Sequence, residues 1–197
     1  LKFFAKNKVM VGGAEHVSVL EAVSHAIKIP LTPDGIIDLD AFKGLLKSER
    51  PALVSVMLVN NETGVIQPVA EISKLAKDNG ALFHCDAVQA AGRMPIDMLA
   101  MGIDFLSLSA HKIGGPQGVG ALALGICGIT PVLLEGGGQE KKARAGTENV
   151  AGIAGFGKAA EIAAAQIEKY KNHTHELQTY LEAALRNIAP DVKIYGE

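Results

Sequence analysis

Three apolar runs in this chain break off into residues of the kind that enzymes use. Residues 52–59 lead into Asn60-Asn61-Glu62-Thr63-Gly64, and 81–85 lead into Asp86, with Gln89 three positions on. Residues 104–108 lead into Ser109-Ala110-His111-Lys112-Ile113-Gly114-Gly115-Pro116. If the runs are neighbouring strands, an acid, two amides, a hydroxyl, an imidazole and a lysine meet in one crevice. A lysine with a buried acid suits pyridoxal 5'-phosphate, which attaches to a lysine whose amine must lose its proton to attack. A carboxylate beside the pyridine nitrogen keeps that nitrogen protonated, and the ring can then draw electrons from a substrate. Hydroxyls, imidazoles and the amides of a glycine-rich turn suit the phosphate. Asp86, Lys112 and Ser109 match these roles by type and position. There is no P-loop lysine signature, and no G-x-G-x-x-G follows a strand, so nucleotide binding has no support.

The elements around these ends must hold them together. Residues 52–59, 81–85, 104–109 and 119–124 read as strands, and 9–11 and 28–31 as two more around a helix over 17–27. Pro68 opens a helix with Val69, Ile72, Leu75 and Ala76 on one face, and Asn79-Gly80 ends it. Asp38 or Asp40 caps a helix running through Leu46. A short helix is expected near Pro95 to Met101. A long helical pattern covers 149–188, with a break near Asn172-His173, and residues 192–195 begin a strand. Strand–helix alternation with apolar runs buried on both faces predicts an α/β domain, its sheet mostly parallel with helices on both faces. Ligands in such sheets lie beyond the carboxyl ends of the strands.

The chain has 197 residues, 48% hydrophobic and 20% charged, with a net charge of −2. That balance suits a packed domain and offers neither a nucleic-acid surface nor a polybasic membrane patch. No apolar run approaches the ~20 residues of a membrane span. Two cysteines, Cys85 and Cys127, cannot build a disulfide framework, and a reducing compartment, the cytoplasm, is expected. Strand alternation points His84 and Cys85 to opposite faces, which argues against a shared metal.

Beyond these readings lies a resemblance. Val59-Asn60-Asn61-Glu62-Thr63-Gly64, His84-Cys85-Asp86-Ala87-Val88-Gln89 and Ser109-Ala110-His111-Lys112-Ile113-Gly114-Gly115-Pro116 resemble motifs of the cysteine desulfurases, a branch of the class V aminotransferases. Gly136-Gly137-Gly138-Gln139-Glu140 and Arg144-Ala145-Gly146-Thr147-Glu148-Asn149 continue the match, so that five motifs follow in order. Taken singly, each residue has a plainer reading: a solvated lysine at 112, a helix cap at Asp86 or His16, a turn amide at Asn61 or Gln89. Together the five motifs outweigh these.

The resemblance implies the fold of aspartate aminotransferase, with Lys112 as the Schiff-base lysine that also moves protons. It further implies Asp86 as the pyridinium partner, and Gln89 and Asn61 as amides around the ring hydroxyl. His16 resembles the histidine that stacks on the ring and assists proton transfer, and Ser109 and His111 resemble phosphate ligands. Thr147 resembles the residue that reaches the neighbouring subunit's phosphate, which implies a homodimer. The implied activity takes sulfur from L-cysteine, leaving L-alanine and an enzyme-bound persulfide for a sulfur-acceptor protein, as in iron–sulfur cluster assembly. Other class V activities, selenocysteine lyase or aminotransferase, share these residues, and a non-catalytic scaffold is the contrasting alternative. The family's Gly-Thr phosphate loop, its attacking cysteine and its substrate-carboxylate arginine have no counterpart in this sequence. Residues 1–168 are therefore expected to be a large domain lacking its N-terminal part, and 169–197 a linking helix and the start of a small domain. Without that cysteine the isolated chain is expected to be inactive.

Overall fold

A computed structural model describes residues 1–195. Six strands form one sheet: β1 (Val9–Gly12), β2 (Ile27–Ile29), β3 (Leu53–Met57), β4 (Leu82–Asp86), β5 (Phe105–Ser109) and β6 (Gly120–Leu124). Their order is β2-β1-β3-β4-β5-β6. The first five run parallel and β6 is antiparallel to β5. Four α-helices accompany them: α1 (Val17–Leu20), α2 (Leu39–Glu49), α3 (Val69–Asp78) and α4 (Val150–Ile188).

Alternation along the strands sorts two cores. Met10, Val54, Val56, Phe83, Cys85 and Leu106 face α2 and α3, which contribute Phe42, Leu46, Ile72 and Ala76. Val9, Val11, Leu53 and Phe105 face the other way, onto Phe4 and onto Val19 of α1. Asp38 is the residue that caps α2, its Oδ1 accepting the amides of Asp40 and Ala41 at 3.1 and 3.0 Å. Asp40 instead meets Lys43 at the surface.

The sheet and α3 lie where the sequence predicts them, and four other expectations need correction. The helix over 17–27 stops at Leu20, and the chain then turns to bury Val23. Residues 95–101 form turns instead of a helix: Asp97 caps a turn through the amides of Leu99 and Ala100, and Gly102, in the left-handed region, reverses the chain before a helix can extend. Helix α4 runs unbroken through Asn172-His173, with the Thr174 hydroxyl donating to the Tyr170 carbonyl inside the helix at 2.9 Å. Residues 192–195 form no strand; Lys193 reaches Asp34 and the Pro33 carbonyl instead, both at 3.2 Å. The expected boundary at 168 falls inside α4.

The start of α4 lies against the segment between β5 and β6. A Cβ on Gly152 would stand 2.5 Å from a methyl of Val119, and one on Gly155 3.1 Å from the Pro116 ring. Glycines at these positions let the helix axis approach that segment closely. From the capping geometry, Asp38→Ala is expected to lower stability by about 1 kcal/mol, and Asp40→Ala by only about 0.3 kcal/mol. Chemical denaturation of the two variants beside the parent checks the difference.

Candidate active site

The parallel register lines up the strand ends. Met57 pairs with Asp86, and Asp86 with Ser107, so β3 and β4 finish level and β5 runs two residues further, to Ser109. Asp86 is the last residue of β4 and half-buried; its Oδ1 accepts the Val88 amide at 2.9 Å. Burial pushes its carboxyl up from the ordinary range, against the pull of the Val88 amide and of the nearby His16 charge. His16 is thus close enough for its charge to act on Asp86, although the two lie on different strand ends. His16 caps α1: its Nδ1 accepts the Ser18 amide at 3.2 Å and contacts the Ser18 hydroxyl at 2.8 Å.

One strand over, Ser109 ends β5 and a single 3₁₀ turn, Ala110–Ile113, carries His111 and Lys112. Ser109 Oγ and His111 Nδ1 lie 2.8 Å apart. The exposed Lys112 has no hydrogen bond or ion pair at Nζ among the described residues, while its carbonyl accepts from Arg93 at 3.4 Å. The turn is gripped on both sides, by Ser109–Gly120 pairing in the sheet and by α4. Gln89 lies in the turn after β4, half-buried, and its carbonyl accepts from Arg93 at 2.7 Å. Asn61 is exposed in the turn after β3. Thr147 is exposed before α4, and no hydrogen bond joins it to the other seven residues among those described. The structure therefore gathers His16, Asp86, Ser109, His111 and Lys112 at neighbouring strand ends, with Asn61 and Gln89 on the adjoining turns and Thr147 in the segment before α4.

Three buried groups that organise this end were not singled out from sequence. Asn60 accepts the amides of Glu62 and Thr63, both at 2.9 Å, and donates to the Ala14 carbonyl at 2.9 Å. Glu15 accepts the Met57 amide at 2.7 Å. His84 spans three strands, its Nδ1 2.7 Å from the Ser55 hydroxyl and its Nε2 2.8 Å from that of Ser107. Of the three, only His84 carried a sequence signal, a polar residue inside an apolar strand. Cys85 points to the opposite face from His84, into the α2–α3 core, and burial pushes its thiol far up. Cys127 packs half-buried beside the Phe4 and Phe105 cluster.

The donor set suits pyridoxal phosphate. A half-buried carboxylate, a hydroxyl–imidazole pair one strand away and an unpaired lysine amine beside that pair match the three polar parts of the cofactor. The comparisons with known proteins point the same way. The class V aminotransferase model, described as "Aminotransferase class-V", matches residues 2–197. The chain belongs to the class V aminotransferase family. A relative from Sinorhizobium fredii named cysteine desulfurase is 42% identical over 200 residues, covering 98% of this chain and 51% of that protein. The solved structure of a NifS-like protein from Rickettsia africae superposes with a TM-score of 0.93 at 39% identity, over 100% of this chain and 56% of the other. A structure titled "SspA in complex with cysteine" superposes at 0.69 with 33% identity, over 79% of this chain and 47% of the other. The chain thus spans about half the length of the relatives it matches. The superpositions bear out an α/β fold with a mostly parallel sheet, as expected of this family.

His84 predicts a pH effect. Burial lowers its pKa from 6.5 to about 3, so the folded chain keeps the ring neutral while the unfolded chain protonates it below 6.5. The stability it contributes is full above pH 6.5 and is lost as pH falls toward 3. Urea midpoints of the parent are expected to fall more steeply over that interval than those of His84→Ala. The variant should also be less stable at pH 7 by about 1–3 kcal/mol, because two serine hydroxyls lose their partner.

Proposed function

We propose that this chain is the cofactor-binding part of a pyridoxal-phosphate-dependent cysteine desulfurase, which takes sulfur from L-cysteine and leaves L-alanine and an enzyme-bound persulfide. The observation that carries the reading is the parallel pairing of β4 with β5, which puts Asp86 at the end of one strand and Ser109, followed by the turn carrying His111 and Lys112, at the end of the next. Bound pyridoxal phosphate supplies an electron sink for bonds breaking at the substrate's α-carbon. Lys112 holds the cofactor covalently and moves a proton at its amine once substrate has taken its place. Asp86 holds a proton on the pyridine nitrogen, and its half-burial strengthens that charge pairing. Ser109 and His111 bind the phosphate, Asn61 and Gln89 face the ring hydroxyl, and His16 lies against the ring. Thr147, exposed before α4, would reach the phosphate of a second subunit in a homodimer.

The relatives' names support the sulfur chemistry, and the cysteine bound in one structural neighbour supports the substrate. Neither cysteine of this chain serves as the attacking thiol. Cys85 is fully buried on the far face with its thiol held protonated, and Cys127 lies among apolar side chains of the second core. That thiol belongs to the half of the relatives' length that this chain does not span. A sulfur-acceptor protein then takes the persulfide sulfur, in the cytoplasm.

Two measurements test the reading in the full-length protein. Borohydride reduction with pyridoxal phosphate, followed by peptide mapping, is expected to fix the label on Lys112; label on another lysine with Lys112 clean rejects the assignment. Asp86→Ala is expected to lower turnover of L-cysteine to L-alanine by about a hundredfold while labelling at Lys112 persists. Unchanged turnover removes Asp86 from the mechanism.

A further inference from the structure

Glu15 is a carboxyl in an unusual place. It is 6% exposed, at the end of the turn that leaves β1, one residue before His16. Its Oε1 accepts the Met57 amide at 2.7 Å, at the end of β3 and level with Asp86. Its Oε2 is buried and has no hydrogen-bond partner among the described residues. Gly12 makes the space: a Cβ there would stand 2.6 Å from Glu15 Oε1. The same turn is held a second time, by Asn60 Nδ2 on the Ala14 carbonyl at 2.9 Å.

Taking His16 as the ring-facing residue proposed above, we propose that Glu15 is its positioning residue, the carboxyl pinning the His16 turn to the end of β3 beside Asp86. The alternative tether for this turn is Asn60 alone, one bond to one carbonyl. Glu15 adds a bond from the adjoining residue to a different point of β3, and two points fix an orientation where one leaves a swivel.

The unpartnered oxygen says in what form Glu15 does this. An ionised carboxylate with one bare buried oxygen carries a large desolvation cost, whereas a carboxylic acid leaves only an ordinary polar group unmatched. The titratable groups that face it are Asp86 and Cys85 from β4 and, at the neighbouring turn, His16. Burial and then the Asp86 charge push its pKa up to about 8, against the pull of the Met57 amide. Glu15 is thus a neutral acid near pH 7.

The test uses Glu15→Gln, Glu15→Ala and His16→Ala in the full-length protein, with two readouts. The first is the pH dependence of the thermal midpoint without cofactor. The unfolded chain gives up the Glu15 proton near 4.5 and the folded chain keeps it to about 8, so this part of the stability is complete below 4.5 and lost as pH rises to 8. Glu15→Gln, which cannot ionise, is expected to flatten that decline. A Gln variant that trails the parent by the same margin at pH 5 and pH 8 shows that folding does not hold a proton on Glu15 and overturns the neutral clamp.

The second readout is pyridoxal phosphate affinity, followed by cofactor absorbance. Glu15→Gln should stay within about twofold of the parent, and Glu15→Ala should weaken binding by about tenfold. If Glu15 acts through His16, Glu15→Ala on top of His16→Ala should add less than about twofold. Equal losses in both backgrounds, or a Gln variant as weak as the Ala variant, overturn the positioning role. Only this second readout depends on the cofactor reading. A parent protein that binds no pyridoxal phosphate overturns that reading and the role toward His16 with it, while the pH series still decides the protonation of Glu15.

Discussion

Parallel pairing of β3, β4 and β5 sets Met57, Asp86 and Ser107 in one row across the sheet, and every other feature of the polar end is arranged against that row. In a parallel sheet each strand must leave by a crossover and return in the same direction, so successive carboxyl ends open on one side. A slip of one residue in β4 would turn Asp86 into the α2–α3 core and bring Cys85 to the polar face. The apolar residues prevent it. Phe83 and Cys85 are fully buried on one side, and Leu82 packs against the Phe4 cluster on the other. The position of the carboxylate is therefore enforced by hydrophobic side chains that never approach it.

The polar groups along that row meet burial in three ways. His84 stays neutral and lends each ring nitrogen to a serine on a flanking strand. Glu15 holds its proton and uses one oxygen for a backbone amide. Asp86 is only half-buried; burial pushes its carboxyl up, while the Val88 amide and the His16 charge pull the other way. Of the three it is the group that opens toward the crevice, and the two behind it are kept neutral. An ionised Glu15 would repel an ionised Asp86 through a medium that screens poorly.

Much of this was legible from sequence because the signals were local. Apolar runs of three to eight residues marked the strands, Pro68 and Asn79-Gly80 bracketed α3, and the polar residues at strand ends named the crevice. The misreadings came where a side chain competed with the backbone pattern. Asp97 capped a turn that Gly102 ended before a helix could extend, and Thr174 folded its hydroxyl onto a carbonyl as α4 passed through a polar stretch unbroken. Glu15 and His84 were beyond reach for another reason. Their roles depend on what faces them across strands 29 and 42 positions away, Ser55 for His84 and Met57 for Glu15, and nothing in a linear pattern reports such a partner.

The glycine contact between α4 and the lysine-bearing turn has a mechanical side. Where side chains interdigitate, small displacements are absorbed by rotamer changes. At Gly152 and Gly155 the helix backbone rests on Val119 and Pro116 with no side chain of its own between them. A helix of 39 residues is roughly 58 Å long at about 1.5 Å per residue, and its contacts with this region run on through Ala159 and Ala163 to Tyr170, which meets the Arg93 that holds the Lys112 carbonyl. The first half of the helix is thus clamped along the lysine-bearing segment. Its later turns, mostly exposed, project beyond the clamp as an arm.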